Sequence, residues 1–548
     1  MTPREPETDL PPTTYYMSQH DAQLDVVNTG RSKSGSTVMI QNADDTLLAE
    51  LGYKSEFNRE FSLVETVAFA FSIMGVVASV AGTYEFPIAA GGHVGMIWGW
   101  LIPSLFVMGI AASLAELVSA MPTSAGLYYW SAKLASPEYS AIASWITGWA
   151  NVTGQISLVC SIDYGCAQMI TTAITVGSDG AIVPSKGATY GILLAVLFTH
   201  GIVCSSATQI LARVNLFYAA INMGATIAAF IALMVCSRGN GVSAKDAFML
   251  FENNTGWKSN GWAFCMAFTA PMWTLTGYDS AAHISEETKD AARTAPIAIL
   301  AGVAGTEILG LFLYIAASFA TKSATDILKS DFALTMGQLY LDVLGKRGML
   351  GIWSVIIVTQ VVTGAAQGVD ASRVVFAFAR DGALPGSRWW KQMNPRTQTP
   401  VNAVWFVMAG AAACGLLGFS AAALSSLAGA SVIGLYISYA VPIFLRITSG
   451  RNRFIPGPFS LGSWYMPIGI VSILWVAFMV VLLLFPTVQA VRAPGMNYAV
   501  VIIVGMFVFA SGYWVVSARK WFRGPVSNVD IDPPPSLNEK MTSSDTKD

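Results

Sequence analysis

Apolar residues in this chain come in long blocks broken by short polar stretches. The blocks over 189–205, 216–236, 466–486 and 498–516 are nearly free of charge. Their length, roughly 18 to 25 residues, is what a helix needs to cross a bilayer. About twelve such spans are predicted, over approximately 62–89, 94–120, 138–173, 188–206, 212–236, 262–286, 296–321, 349–379, 400–419, 421–446, 463–486 and 495–517. The fold class is therefore all-α, a polytopic membrane protein. Two polar segments flank the spans. Residues 1–60 are rich in Thr, Ser and Asp and carry no apolar signal-peptide core, so they read as a disordered cytosolic tail. Residues 518–548 read as a second one.

Composition agrees with the pattern. Of 548 residues, 54% are hydrophobic and 12% charged, about half the charge of a soluble domain. A net charge of −2 gives no basis for nucleic-acid binding. The six cysteines lie in or beside apolar segments without metal-ligand spacing, so neither a metal nor a cofactor is expected. With four histidines and no nucleophile elbow, no enzyme class is suggested either.

Basic residues set the orientation. Lys54 and Arg59 precede the first span; Arg380, Arg388, Lys391 and Arg396 follow the eighth. Arg446, Arg451 and Arg453 follow the tenth, and Arg519, Lys520 and Arg523 the last. All face the cytosol if both termini do. The loop over 238–261, with the sequon Asn253-Asn254-Thr255, is then extracellular.

Two spans carry helix breakers near their middles. The first holds AFSIMGVVASVAG (70–82) around Gly75; the sixth holds APMWTLTGYDS (270–280) with Pro271 and Gly277. They are five spans apart, the mark of two five-helix halves related as an inverted repeat. The first half would cover 61–237 and the second 262–447, leaving helices 11 and 12 in 448–517. A helix unwound in mid-membrane frees N–H and C=O groups that lipid cannot satisfy, which is tolerated where they line a polar cavity. A half-helix N-terminus suits a carboxylate and freed carbonyls suit an ammonium, so a small zwitterion fits. Close helix packing is the competing account of the two glycines.

Past Gly277 runs YDSAAHISEET (278–288). On a continuing helix, Asp279, His283 and Glu286 share a face. Ionisable groups within a membrane usually line a pathway or pair with one another. Asp279, with His283, is the candidate for proton coupling or gating, against a purely structural capping role. Glu286 and Glu287 are expected at the cytosolic mouth, paired with Lys289 or Arg293. Asp163 in span three lacks a local partner and is a further candidate. Asp370 and Arg373, three apart, are expected to neutralise each other, and Glu116 and Glu307 to be structural. Trp273, at the break, would lid the site or face an ammonium.

Seven segments carry a resemblance: PTSAGLYYWSAKLASPEYS (122–140), CSIDYG (160–165), WTLTGYDSAAHISEETKDAARTAPIAI (273–299), SRVVFAFARDGALP (372–385), SGRNRFIPGPFSLG (449–462), MNYAVVI (496–502) and RGPVSN (523–528). Together they resemble the amino acid–polyamine–organocation transporter superfamily, within it the fungal GABA and choline permease branch, and are closest to GABA permeases. The resemblance implies a five-plus-five inverted repeat with discontinuous helices 1 and 6. It also implies proton-driven uptake of an amino-acid-like zwitterion across the plasma membrane, with the vacuolar membrane as the alternative. Ser72, Ile73, Met74 and Gly75 match the family's carboxylate-binding segment; Trp273, Thr274, Gly277 and Asp279 match its sixth-span segment, and Tyr278 is a candidate to line the site with Trp273. Two departures stand out. Val76 and Val77 follow Gly75 where relatives are often richer in glycine and small polar residues. The fifth span lacks the lysine some relatives use for coupling and has Asn222 as its main mid-span polar residue. An amine permease for choline, and a nutrient sensor of transporter form, remain the alternatives.

Overall fold

The computed structural model describes residues 43–206, 208–489 and 497–528. They are helical, without strands; one isolated bridge joins Phe61 to Thr288. In chain order the helices are α1 (Ala43–Glu50), α2 (Leu63–Met74), α3 (Val76–Thr83), α4 (Glu85–Ala120), α5 (Gly126–Leu134), α6 (Ser140–Gly177) and α7 (Lys186–Cys204). Then come α8 (Thr208–Cys236), α9 (Ala244–Met249), α10 (Asn260–Met266), α11 (Thr269–Thr274), α12 (Ser280–His283) and α13 (Ala291–Ala320). The last are α14 (Ala324–Leu328), α15 (Met336–Arg380), α16 (Ser387–Trp390), α17 (Val401–Gly415), α18 (Ala421–Ile447), α19 (Tyr465–Leu484) and α20 (Ala499–Val516).

Among the described residues, 10 helical stretches are long and apolar enough to cross a membrane. Two of the predicted spans are not among them, for different reasons. α6 has 38 residues, but Asn151, Gln155 and Asp163 dilute its apolar character. The stretch from 260 to 287 is cut into short helices, which is the break itself.

Local chemistry explains where helices begin. α2 starts at Ser62, whose backbone N–H donates to the Glu65 carboxylate three residues on (2.8 Å). α13 is capped from a distance: Asp44 accepts from Asp290 N (2.8 Å) and Ala291 N (3.2 Å). A carboxylate at a helix N-terminus meets the positive end of the dipole and satisfies otherwise idle donors.

Packing centres on three long helices. α13 lies against α4, α2 and α8; α6 lies between α15 and α18; α15 also reaches α2, α3, α7, α8 and α17. The outward faces of α8, α19 and α20 expose large apolar side chains, Phe217, Ile231, Leu474 and Val508 among them, as lipid-facing helices require.

The N-terminal segment corrects an expectation. Residues 43–60, assigned above to a disordered tail, form α1 and an extended stretch whose Leu48, Tyr53 and Phe57 are buried, as is Phe61 directly after them. Four large apolar anchors spaced through a polar stretch are too sparse to read as a helix face, yet each finds a socket. Residues 518–528 fold too: Phe522 is buried, and Asn528 N donates to Gly52 O at 3.0 Å. The two described chain ends therefore meet at one end of the bundle, called here the terminus side. The remaining parts of both expected tails, 1–42 and 529–548, lie outside the described residues.

Candidate functional site

Two glycines with left-handed backbone end half-helices that face each other. α2 stops at Gly75 (φ 48°, ψ 61°). α11 stops at Thr274, and the chain runs on without helix to Asp279 through Gly277 at φ 98°. Such angles are costly for any residue with a Cβ. The space is taken as well: a Cβ at Gly75 would run into Thr363 Oγ1, and one at Gly277 into Ile73 Cγ2. Ile73 thus seats the first break on the second.

Side chains satisfy some of the backbone that the breaks release. Thr363 Oγ1 donates to Ser72 O (3.0 Å), Ser79 Oγ to Met74 O (2.7 Å) and Thr276 Oγ1 to Met272 O (2.5 Å). α3 starts afresh with eight residues, so its first N–H groups, on Val76, Val77 and Ala78, are those any helix N-terminus leaves over. Several buried polar atoms near the breaks have no hydrogen-bond partner among the described residues: Gln367 Oε1, Asp370 Oδ1, Asn151 Oδ1 and Thr274 Oγ1. Gln367 Oε1 points at the second break, 3.4 Å from where a Cβ on Gly277 would stand. A buried polar atom without a partner is costly unless something polar comes to it. Trp273 is half-buried beside the break, with its indole N–H likewise unpaired.

Asp279 and His283 come together, as the spacing predicted, on the single turn of α12. His283 Nε2 lies 3.1 Å from Asp279 Oδ2, and Tyr439 OH donates to Asp279 Oδ1 at 2.6 Å. His283 Nδ1 faces Ser124 O at 3.2 Å. A carbonyl only accepts, so Nδ1 carries a hydrogen. On its other side the ring presents Nε2 to the Asp279 carboxyl and, at 3.4 Å, to Asn151 Nδ2. Acid and base are thus in contact and fully buried.

Glu286 and Glu287 depart from the expected helical stripe. After His283 the chain tightens into a 3-10 turn, Ser285–Glu287, and the two carboxylates reach away from Lys289 and Arg293 to cations on α15. Glu286 takes both arms of Arg380 (3.0 and 2.9 Å), and Glu287 takes Arg373 Nε (2.8 Å) and Nη2 (3.3 Å). Arg293 instead lies 4.0 Å from Asp290. Asp370 does not neutralise Arg373, because Glu287 claims the guanidinium; Asp370 accepts from Gln155 Nε2 at 2.8 Å. Gln155 in turn accepts from Gln367 Nε2. Glu286 also receives Thr123 Oγ1 and Ser124 N, both at 3.0 Å. Ser124 therefore joins the ion pair to His283 through the two faces of its backbone.

The N-terminal segment covers these ion pairs. The Tyr53 ring lies 4.2 Å from the Arg380 guanidinium carbon, and the Phe57 ring 5.8 Å from that of Arg373. Tyr53 OH and Tyr128 OH donate to Asp381 Oδ2 at 2.9 and 2.7 Å, and Val526 N to Oδ1 at 3.1 Å. Arg59 Nη1 donates to Ser285 O (3.2 Å) and Thr288 O (2.9 Å), and Phe61 pairs with Glu287 and Lys289 through backbone. Burial pushes the Asp381 carboxyl above the usual carboxylate range, although Arg380 and the hydrogen bonds from Tyr128, Val526 and Tyr53 pull it back. The terminus side thus carries two buried ion pairs, each with an aromatic ring over its cation.

Asp163, without a partner on its own helix, finds one elsewhere. Its partner comes from the next helix: His200 Nδ1 lies 3.0 Å from Asp163 Oδ2. Glu116 pairs with Arg446 at 3.4 Å and lies away from the breaks. The sequence reading missed Gln155, Thr363, Gln367, Tyr439, Tyr53 and Phe57. A signal existed for two of them: Thr359, Thr363, Gln367, Asp370 and Arg373 recur at helical spacing along one face of an otherwise apolar span.

Facing half-helix ends, a buried acid–histidine pair and two buried ion pairs make up the polar centre of this apolar bundle. Residues 61–508 match the family described as "Amino acid permease". An uncharacterized amino-acid permease of Schizosaccharomyces pombe is 37% identical over 507 residues, 91% of this chain and 93% of its own. The amino-acid permease BAT1 of Arabidopsis thaliana is 33% identical over 510 residues, 90% of this chain and 98% of its own. The GABA-specific permease of Saccharomyces cerevisiae is 34% identical over 497 residues, 89% of this chain and 87% of its own. The chain belongs to the amino acid permease family, an integral-membrane family of transporters and not of enzymes.

Proposed function

We propose that this permease imports GABA or a related amino acid, driven by protons, through alternating access. One observation carries the reading. The two helix breaks meet through Ile73 and Gly277, with the buried Asp279–His283 pair two residues beyond the second break. The substrate carboxylate binds the free N–H groups of Val76 to Ala78, beside Ser72 to Gly75. Its ammonium binds the carbonyls of the stretch between Thr274 and Asp279 together with Gln367 Oε1, with Trp273 and Tyr278 against its carbon chain. The 34% identity to a GABA-specific permease supports the choice of substrate.

Release follows from the ion pairs. On the terminus side, taken as cytosolic from the basic loops, Glu286 and Glu287 must part from Arg380 and Arg373, and Tyr53 and Phe57 must lift. A proton leaving the Asp279–His283 pair acts on this mouth through Ser124, which touches both His283 and Glu286. The host membrane is the plasma membrane, with the vacuolar membrane as the alternative.

A second reading has its own support. The rings of Tyr278, Tyr436 and Tyr439 cluster beside Asp279, with successive centroids 5.3 Å apart. Aromatic faces suit a quaternary ammonium such as choline, which has no N–H to donate. Uptake of labelled GABA, choline, putrescine and several amino acids, in cells lacking their own permeases and across external pH, separates the readings. GABA uptake rising as pH falls is the expected result. Flat pH dependence sinks proton coupling, choline uptake alone favours the amine permease, and binding without uptake favours a sensor.

A further inference from the structure

A second acid–histidine pair packs against α15 at Gly364. Asp163 on α6 and His200 on α7 are 3.0 Å apart, with 0% and 1% of their side chains exposed. The contact has the chemistry of Asp279–His283, a carboxylate against an imidazole at hydrogen-bond distance. The pair accepts one proton as a unit. With His200 Nδ1–H donating to Asp163 Oδ2 it carries one negative charge, and one more proton makes it neutral. Two atoms of the pair, Asp163 Oδ1 and His200 Nε2, are buried without a hydrogen-bond partner among the described residues, so the pair has room for that proton.

The surroundings argue against a simple pin. The titratable groups facing the pair are the thiols of Cys160 and Cys166 on α6 and Cys204 on α7; α15 presents Gly364. A Cβ on Gly364 would run into the Asp163 carboxylate and crowd the His200 ring. Apolar packing would join three helices at lower cost than a buried carboxylate and imidazole, whose desolvation often outweighs their attraction. α15 also provides a route to the site: Thr363, next to Gly364, hydrogen-bonds Ser72 O at the first break, and Gln367, one turn on, points at the second. A change of charge at Asp163–His200 is therefore felt where the half-helices meet.

We propose that Asp163 and His200 carry a second coupling proton, so that two protons move with each substrate molecule. This rests on the proton-coupled reading above. No bond other than those to the protons changes. One proton binds Asp279–His283 and one binds Asp163–His200 from the side where substrate enters, and both leave to the side of release.

The test uses the full-length protein in liposomes with the membrane potential clamped at zero and an imposed pH difference. The probe is labelled GABA or, if the uptake panel returns a different amino acid, that amino acid. Two protons predict accumulation at steady state of about a hundredfold per pH unit, one proton about tenfold. The wild type is expected on the steeper slope. Asp163→Asn, His200→Gln and Gly364→Ala are each expected on the shallower one, while substrate exchange without a gradient continues. A purely structural role would lower exchange and accumulation together and leave the slope unchanged. A wild-type slope of one proton, or variants that keep two, overturns the proposal. So does loss of folded protein in all three, which would make the pair a pin. Absence of any proton-driven accumulation in the wild type instead fails the parent reading and takes this one with it.

Discussion

At Gly75 a single residue decides whether a span is one helix or two. Alanine there takes on about 1–2 kcal/mol from the left-handed backbone alone, and its methyl group also displaces Thr363 from Ser72 O. Gly75→Ala is expected to reach the membrane yet lose substrate uptake, checked by surface labelling alongside transport. Asp279 is the other decisive residue. Asp279→Asn removes the acceptor shared by Tyr439 and His283. Concentrative uptake should fall at least about tenfold, which corresponds to 1.4 kcal/mol, and should no longer rise as external pH falls. Unchanged rates and pH profile would return Asp279 to a capping role. The meeting of Asp279 and His283 was legible from their spacing. The loss of Glu286 from that face was not, because a 3-10 turn has no signature in a run such as Ser285–Glu287.

Among the elements, α15 and the segment 43–61 do most to join the parts. α15 carries Thr363, Gln367, Asp370, Arg373 and Arg380 at helical spacing, so the first break, the Gln155–Asp370 contact and both ion pairs hang on one rod. Its last contact is sensitive to pH. Asp381 has its folded-state value raised by burial. The stability it lends to the contact with Tyr53 and Tyr128 is therefore complete below the ordinary carboxylate range and is lost as pH rises through the raised value. Proteolysis within 43–61 is expected to speed up over that window, and Asp381→Asn, fixed in the neutral form, should flatten the dependence. A rate independent of pH in the parent protein would contradict this. The polar stripe of α15 was legible in the sequence, but its partners were not. Arg373 has a carboxylate three residues away and binds one 86 positions distant, since Asp370 is held by Gln155 while packing brings Glu287 into reach.

For the whole molecule, the alternating access proposed above has the two ends of the bundle open in turn. On the terminus side the N-terminal segment adds to the resistance, because opening must break its contacts along with the ion pairs. Replacing Tyr53 and Phe57 together by alanine removes both rings that cover Arg380 and Arg373. Each cation–π contact contributes about 0.5–2 kcal/mol. The double variant should let accumulated substrate leak back, measured as faster efflux and a lower steady-state level with the initial uptake rate maintained. Efflux equal to that of the parent would mean that the ion pairs alone hold the mouth.

Read alone, the sequence determined whatever depends on local composition and periodicity. Apolar blocks of bilayer length gave the spans, Gly75 and Gly277 the breaks, and i, i+4 spacing the Asp279–His283 pair. Bilayer thickness and helix pitch impose these wherever such a chain folds. Only the tertiary structure decided which groups from distant spans meet: Asp163 with His200, Glu286 with Arg380, Tyr53 with Asp381. A charge buried in an apolar bundle must find its counterpart, but many counterparts are chemically equivalent. The choice among them is made by how the helices pack, and no short stretch of sequence encodes that.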